Sequence, residues 1–187
     1  MCTYEIMAAV EPLTKDELLM HTENADDCAS VYVGTYHKYN CGSLKGAWVN
    51  LESFNDEEEL MEFLYRLHAD ESDPELMMQD YMNFPRRFYS ESMNESDFAK
   101  LYEWLNLDEE QRAMCEEYWD EIDESASVEY IVESCVYSGN SNDYFDELAD
   151  EALRNAPEFL KNYFDYESWR RNCAYDYNVT SNFVFTL

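Results

Sequence analysis

Positive charge is scarce in this chain. Twelve Lys and Arg stand against 42 Asp and Glu in 187 residues, a formal net charge of −30. So few cations exclude the counterion-releasing basic patch through which proteins hold nucleic acid. Glycine and proline are equally sparse, four of each. Four glycines leave little backbone to wrap a phosphate, and the chain holds no glycine-rich phosphate loop, no G-x-S-x-G and no H-E-x-x-H. Only His21, His37 and His68 titrate near neutrality when unperturbed. Carboxylate pairs occur throughout, so none stands out as an acid–base couple. The six cysteines form no C-x-x-C, no stretch fits an EF-hand loop, and His37-Lys38-Tyr39-Asn40-Cys41 places just two metal-ligand types four residues apart. The expectation is no catalytic residue, no metal and no cofactor. No apolar run reaches transmembrane length, and the first thirty residues carry seven acids and one Lys where a signal peptide has a basic start and an apolar stretch. The expected setting is the cytoplasm, with reduced thiols and no membrane partner.

Aromatic residues are abundant. Sixteen Tyr, ten Phe and four Trp accompany a hydrophobic fraction of 46%. Disordered acidic chains lack such residues, so this chain folds.

Residues 1–29 read as an N-terminal extension of unknown role, with one helix over Thr14–His21 capped by Thr14 and Glu17. Val31–Tyr36 reads as a strand, Asn40–Ser43 as a turn and Ala47–Leu51 as the returning strand. Asn55, with Glu58 at N3, is expected to cap a helix whose buried stripe is Leu60, Met61, Phe63, Leu64 and Leu67. His68 at its end suits a favourable contact with the helix dipole. Pro74–Tyr81 supplies a third strand. Asn94 and Asp108, the latter with Gln111 at N3, cap two further helices, the first carrying Phe98, Leu101, Tyr102 and Leu105, the second turning Met114, Tyr118 and Ile122 inward. Beyond them, a helix near Ser127–Cys135 ends at a break over 138–140. A helix over Asn142–Ala156 follows, with Tyr144, Phe145, Leu148, Ala152 and Leu153 as its stripe. Short helices near Glu158–Asn162 and Tyr166–Ala174 lead to a closing hairpin, Tyr175–Val179 with Phe183–Thr186.

The charge is densest over 91–127, where thirteen acids and two bases give a net of −11. Like charges at i,i+4 cost a helix stability, so a helix that keeps them gives up stability for a field. A salt-adapted cytoplasm would also favour acids, but it gives no reason for the many Tyr and Phe or the six Cys. A scaffold of spaced carboxylates offers a DNA-binding protein the field it expects from phosphates. The candidate mimic residues are Asp56, Glu57, Glu58 and Glu62 on the earlier helix, and Glu103, Asp108, Glu109, Glu110, Glu116, Glu117, Asp120, Glu121, Asp123 and Glu124 on the later ones. Each alone is equally readable as a solvated surface charge. Duplex DNA carries one charge per about 1.7 Å, so thirty net charges match about 15 base pairs and a dimer about 30.

Three stretches, in order, carry a family resemblance. The run Val31–Leu51, with its Tyr39-Asn40-Cys41-Gly42 turn and Gly46-Ala47-Trp48, is similar to the opening of the ArdA antirestriction proteins. Pro74–Pro85, containing Asp80-Tyr81 and Phe84-Pro85, resembles their third-strand segment. Tyr163-Phe164-Asp165-Tyr166-Glu167 with Trp169 and Arg171-Asn172 resembles their C-terminal motif, with Asn172 where the family usually has Asp. The resemblance implies an elongated α+β chain of three small domains: an antiparallel three-stranded sheet plus helix over 30–89, an acidic helical domain over 90–127, and C-terminal helices with a small antiparallel sheet over 128–187. It implies a homodimer formed through the last domain, with Tyr163, Phe164, Asp165, Tyr166 and Trp169 as interface candidates, although core packing explains the aromatic ones equally. It implies a mobile-element protein that mimics B-form DNA and fills the DNA-binding groove of type I restriction–modification enzymes. The alternative from composition alone is an acidic adaptor for another basic DNA-binding protein, such as a nucleoid or transcription factor. An Asp/Glu hydrolase is a third, weaker reading.

Overall fold

The computed structural model describes residues 11–187. The chain is mixed α+β and forms two compact units, one ending at Leu105 and the other spanning Asn106–Leu187. This division falls inside the segment 90–127.

The first unit is built on a three-stranded antiparallel sheet in the order β2-β1-β3: β1 Ser30–Thr35, β2 Ala47–Asn50 and β3 Leu76–Met82. Val31 lies opposite both Val49 and Tyr81, and a bulge between Tyr32 and Val33 shifts the β3 register so that Val33 meets Met78. Val31, Val33, Val49 and Met78 are buried together with Leu51, Leu60 and Leu64. Gly46 is dictated by the close approach of the backbone, since a Cβ there would lie 2.2 Å from the Val33 carbonyl oxygen. Helix α3, Glu57–Leu67, turns Leu60, Phe63 and Leu64 into this core, while Met61 and Leu67 are half-buried. α4, Glu95–Leu105, packs on α3, and its Tyr102 hydroxyl donates to the Leu51 carbonyl at 2.8 Å.

The N-terminal helix α1, Lys15–Thr22, has the expected capping box between Thr14 and Glu17. It packs on β2 and on the short 3-10 turn Leu51–Ser53. Its His21 ring stacks on Phe54 at 4.1 Å and meets the edge of Phe63 at 4.9 Å. Arg66 of α3 donates to the Glu17 carboxylate at 2.8 Å and to the Glu11 carbonyl at 3.2 Å. The segment after α1 joins the same core. Ala25 and Ala29 are buried, and the Ser30 hydroxyl donates to the Ala25 carbonyl.

Three local expectations are corrected in this unit. The cap of α3 is Asp56, which accepts from the Glu59 amide; Asn55 instead donates to the Glu59 carboxylate through its amide and its side chain. Tyr36 does not extend β1 but begins the five-residue helix α2, Tyr36–Asn40, capped by Thr35. His68 is no dipole partner: it is buried, and its pKa is pushed down by burial and then by the Lys38 ammonium, so it is neutral at the end of α3.

The second unit opens with α5, Glu109–Glu121, whose cap Asp108 forms the expected box with Gln111. α5 packs on α6, Val128–Ser134. Its buried side is Met114, Cys115, Tyr118 and Trp119, with Ile122 half-buried beyond its end. The second sheet has the order β4-β6-β5, all antiparallel: β4 Cys135–Ser138, β5 Tyr177–Val179 and β6 Phe183–Thr186. The expected hairpin is present, but β4 is an addition, a strand where the sequence suggested the end of a helix and a break. Central β6 buries Phe183, Val184 and Phe185, and Tyr118 sets its ring against Phe185 at 4.8 Å. α7, Ser141–Ala152, buries Phe145 and Ala149; Ala152, expected on the inner stripe, is exposed. The short helix α8, Glu158–Lys161, starts at Pro157, and α9, Tyr166–Cys173, packs on α7. Among the described residues no helix is long and apolar enough to cross a membrane.

Candidate functional site

The expected mimic carboxylates lie on α3, α4 and α5, at the caps of α3 and α5 (Asp56, Asp108) and just beyond α5 (Asp123, Glu124); on the helices they take positions outside the buried stripes. On α3, Asp56, Glu58 and Glu62 are exposed and Glu57 is half-buried. Asp56 is occupied as the cap. Glu57, Glu58 and Glu62 make no hydrogen bond or ion pair among the described residues. Acids in a first turn complement the helix dipole, so part of this crowding serves the helix itself. Glu103 on α4 is exposed and likewise unengaged among the described residues.

α5 carries its acids in two rows. Glu109, Glu116 and Asp120 are spaced i, i+7, i+11, and all three are exposed. At 3.6 residues per turn, this spacing keeps each row within about 40° of one line along the helix. They make no hydrogen bond or ion pair among the described residues. Glu110, Glu117 and Glu121 repeat the spacing one residue later, about 100° around the helix. These three are held. Ser138 Oγ donates to Glu110, the Asn182 backbone amide and Nδ2 donate to the two oxygens of Glu117, and Ser181 Oγ donates to Glu121 at 3.1 Å. Asp108 is the helix cap. Beyond the helix, Asp123 accepts from the Ser125 hydroxyl and amide, which lower its pKa. Glu124 is exposed. Arg112 is the single basic residue in α5.

The C-terminal motif divides by role. Asp165 caps α9, accepting from the Ser168 amide and hydroxyl, which depress its pKa. Trp169 Nε1 donates to the Phe145 carbonyl at 2.8 Å, and the Tyr166 hydroxyl donates to Asp150 at 2.6 Å. Phe164 sets its ring against both Tyr166 and Trp169. Arg170 clasps Asp146 beside them and holds that carboxyl below its ordinary range. Four of the five motif residues thus fasten α9 to α7 or build α9 itself. Tyr163 alone projects, 85% exposed, and Phe159 and Leu160 of α8 are exposed as well.

The sequence reading missed one polar centre. Lys38 of α2 points inward, and its ammonium lies 2.9 Å from His68 Nδ1, 2.7 Å from Asp70 Oδ1 and 3.2 Å from Glu71 Oε1. The ammonium donates to His68 Nδ1 and Asp70 Oδ1 and forms an ion pair with Glu71, and the first of these bonds makes the neutral His68 ring the Nε2–H tautomer. Thr35 donates its hydroxyl to Glu71 at 2.6 Å, and Lys45 reaches Asp70 at 3.1 Å. The Lys38 and Lys45 hydrogen bonds bring the Asp70 pKa down to about 2. The only sequence signal was Thr35 three residues before Lys38, a capping spacing hidden by the strand-like run before it. Among the described residues no group of three or more His, Cys, Asp or Glu side chains is placed to hold a metal ion, and at this centre the Lys38 ammonium occupies the middle.

A family model described as antirestriction protein (ArdA) matches residues 31–184. The chain belongs to the ArdA family. No curated protein matches it in sequence. Membership carries an antirestriction function and points to restriction–modification enzymes as what the protein acts against. The matched span takes in α2 to α9, β2 to β5, all but the first residue of β1 and the first two residues of β6, and it begins after α1.

Proposed function

We propose that the protein blocks type I restriction–modification enzymes by presenting carboxylates in place of DNA phosphates, so that incoming DNA escapes cleavage. The observation that carries this reading is α5: two rows of three acids along a helix with a single basic residue of its own. Solvated surface charge of ordinary origin is mixed in sign. Here the helix accepts like-charge repulsion that a mixed face would avoid. Acids one turn apart stand about 5–6 Å from each other, close to the scale on which a DNA strand spaces its phosphates. The unengaged acids of α3 and α4 extend the same chemistry. Binding of this kind is fast, salt-sensitive and spread over many residues. The protein acts as a homodimer, with exposed Tyr163, Phe159 and Leu160 supplying apolar surface for the contact. The aqueous compartment it works in is the cytoplasm, where restriction enzymes meet foreign DNA.

The test is displacement. Increasing protein is added to a type I methyltransferase bound to labelled duplex DNA at two salt concentrations. Stoichiometric release of the DNA, weaker at the higher salt, is the expected result. Folded protein that leaves the complex untouched at both salts refutes the reading.

A further inference from the structure

We infer that Ser138, Ser181 and Asn182 are positioning residues for the acidic surface: they hold Glu110, Glu117 and Glu121 in fixed directions while leaving their charge intact. The inference rests on the DNA-mimic reading and specifies which part of the second unit shapes its surface.

All three donors come from one corner of the second sheet. Ser138 ends β4, and Ser181-Asn182 form the turn between β5 and β6. The Gly139 amide donates to the Asn182 carbonyl at 2.6 Å, which ties the end of β4 to that turn. Thr180 closes the turn through its amide to the Phe183 carbonyl, and it is itself buried. The donors therefore stand on a closed hairpin and on the exposed end of β4 tied to it, and each reaches a carboxylate on α5. Asn182 grips both oxygens of Glu117, which fixes the plane of that carboxylate as well as its place. The row Glu110, Glu117, Glu121 spans about 16 Å of helix axis.

The donor chemistry matters. A Lys or Arg would also fix these side chains but would cancel the charge offered to a partner. Hydroxyl and amide donors carry no net charge, so the field of the row is kept. A glutamate free in solution must be ordered when a partner's cation takes it up; one already ordered avoids that loss. Each held side chain is therefore expected to improve binding about twofold to fivefold.

The experiment uses the full chain with Ser138→Ala, Ser181→Ala and Asn182→Ala combined, each variant first shown to be folded by circular dichroism. DNA displacement from the type I methyltransferase that wild type releases is measured across a salt series. The expected result is displacement weaker by about tenfold to a hundredfold, with an unchanged salt slope because the charge count is unchanged. Glu110→Ala/Glu117→Ala/Glu121→Ala, in contrast, lowers both affinity and slope. When the three donor substitutions are added to that background they have no further effect, since no carboxylate remains to be placed. Ser138→Thr and Ser181→Thr, which keep the hydroxyls, retain wild-type displacement. Donor variants within twofold of wild type, while the Glu→Ala variant is weakened, overturn this inference and leave the mimic reading standing. A donor effect that persists in full in the Glu→Ala background also overturns it. Wild type that displaces no DNA removes the mimic reading itself, and this inference with it.

Discussion

Two sites, one in each unit, treat their acids in opposite ways. Around Lys38 in the first unit, Asp70 and Glu71 meet a buried ammonium, and Asp70 meets Lys45 as well. On α5 in the second unit, Glu110, Glu117 and Glu121 meet only hydroxyls and amides, while Glu109, Glu116 and Asp120 meet no partner among the described residues. The first arrangement uses opposite charge to fasten α2 to the segment after α3, and the field it leaves is small. The second keeps the charge and arranges it. A count of carboxylates does not distinguish the two, because what separates them is the chemistry of the nearest donor.

The largest effect that breaks this contrast is expected from removing unengaged charge. Glu58→Gln, Glu62→Gln, Glu103→Gln, Glu109→Gln, Glu116→Gln and Asp120→Asn together should weaken DNA displacement by about a hundredfold, each charge contributing roughly 0.2–1 kcal/mol. The melting temperature should hold or rise, because like-charge pairs at helical spacing are relieved. Unchanged displacement by this variant would leave the acids without a binding role. Lys38→Met should do the reverse. It strands Asp70, Glu71 and His68 around an apolar side chain and costs about 2–3 kcal/mol in urea unfolding. Displacement by the folded fraction should change by less than about twofold, as expected for a substitution away from the binding surface.

Acid acts on the first unit by a further route. His68 and His21 both have pKa values lowered chiefly by burial, so the unfolded chain binds their protons more readily than the folded one. Stability then falls as pH drops below about 6.5, with a slope of at most about 1.4 kcal/mol per pH unit for each histidine. His68→Gln should flatten part of that slope in a pH series of urea midpoints. Asp70 acts lower: its folded pKa of about 2 lies under its ordinary value of 3.8. Its contribution is intact above that ordinary value and lost as pH falls through the folded one. The smallest effect belongs to Glu58→Gln alone, which should alter displacement by less than about threefold and stability by less than about 0.5 kcal/mol. A single substitution of that kind that abolished inhibition would point to one dominant contact in place of a distributed surface.

Much of this was legible in the sequence where local chemistry decides the outcome. Thr14 with Glu17 and Asp108 with Gln111 cap their helices as read, since a capping box is complete within four residues. At the third cap, Asn55 and Asp56 are both competent, and only the fold shows that Asp56 takes the Glu59 amide. The unread elements depend on distant partners. β4 is four residues that become a strand by pairing with β6. α2 is too short for hydrophobic periodicity to register. Lys38 shows its role only because His68, Asp70 and Glu71 are brought to it from thirty residues away. The rows on α5 are visible in the spacing of the acids. Which row is held is not, because the hands that hold it lie at positions 138, 181 and 182.

The family match begins at Val31, yet α1 shields Phe54 and Phe63 with His21, and Arg66 grips Glu17 across the junction. Homology and folding therefore draw their borders in different places. A version of the chain cut at the family border would bare two phenylalanines and orphan a guanidinium. What reads as an accessory in a comparison of sequences is, for this molecule, part of the hull.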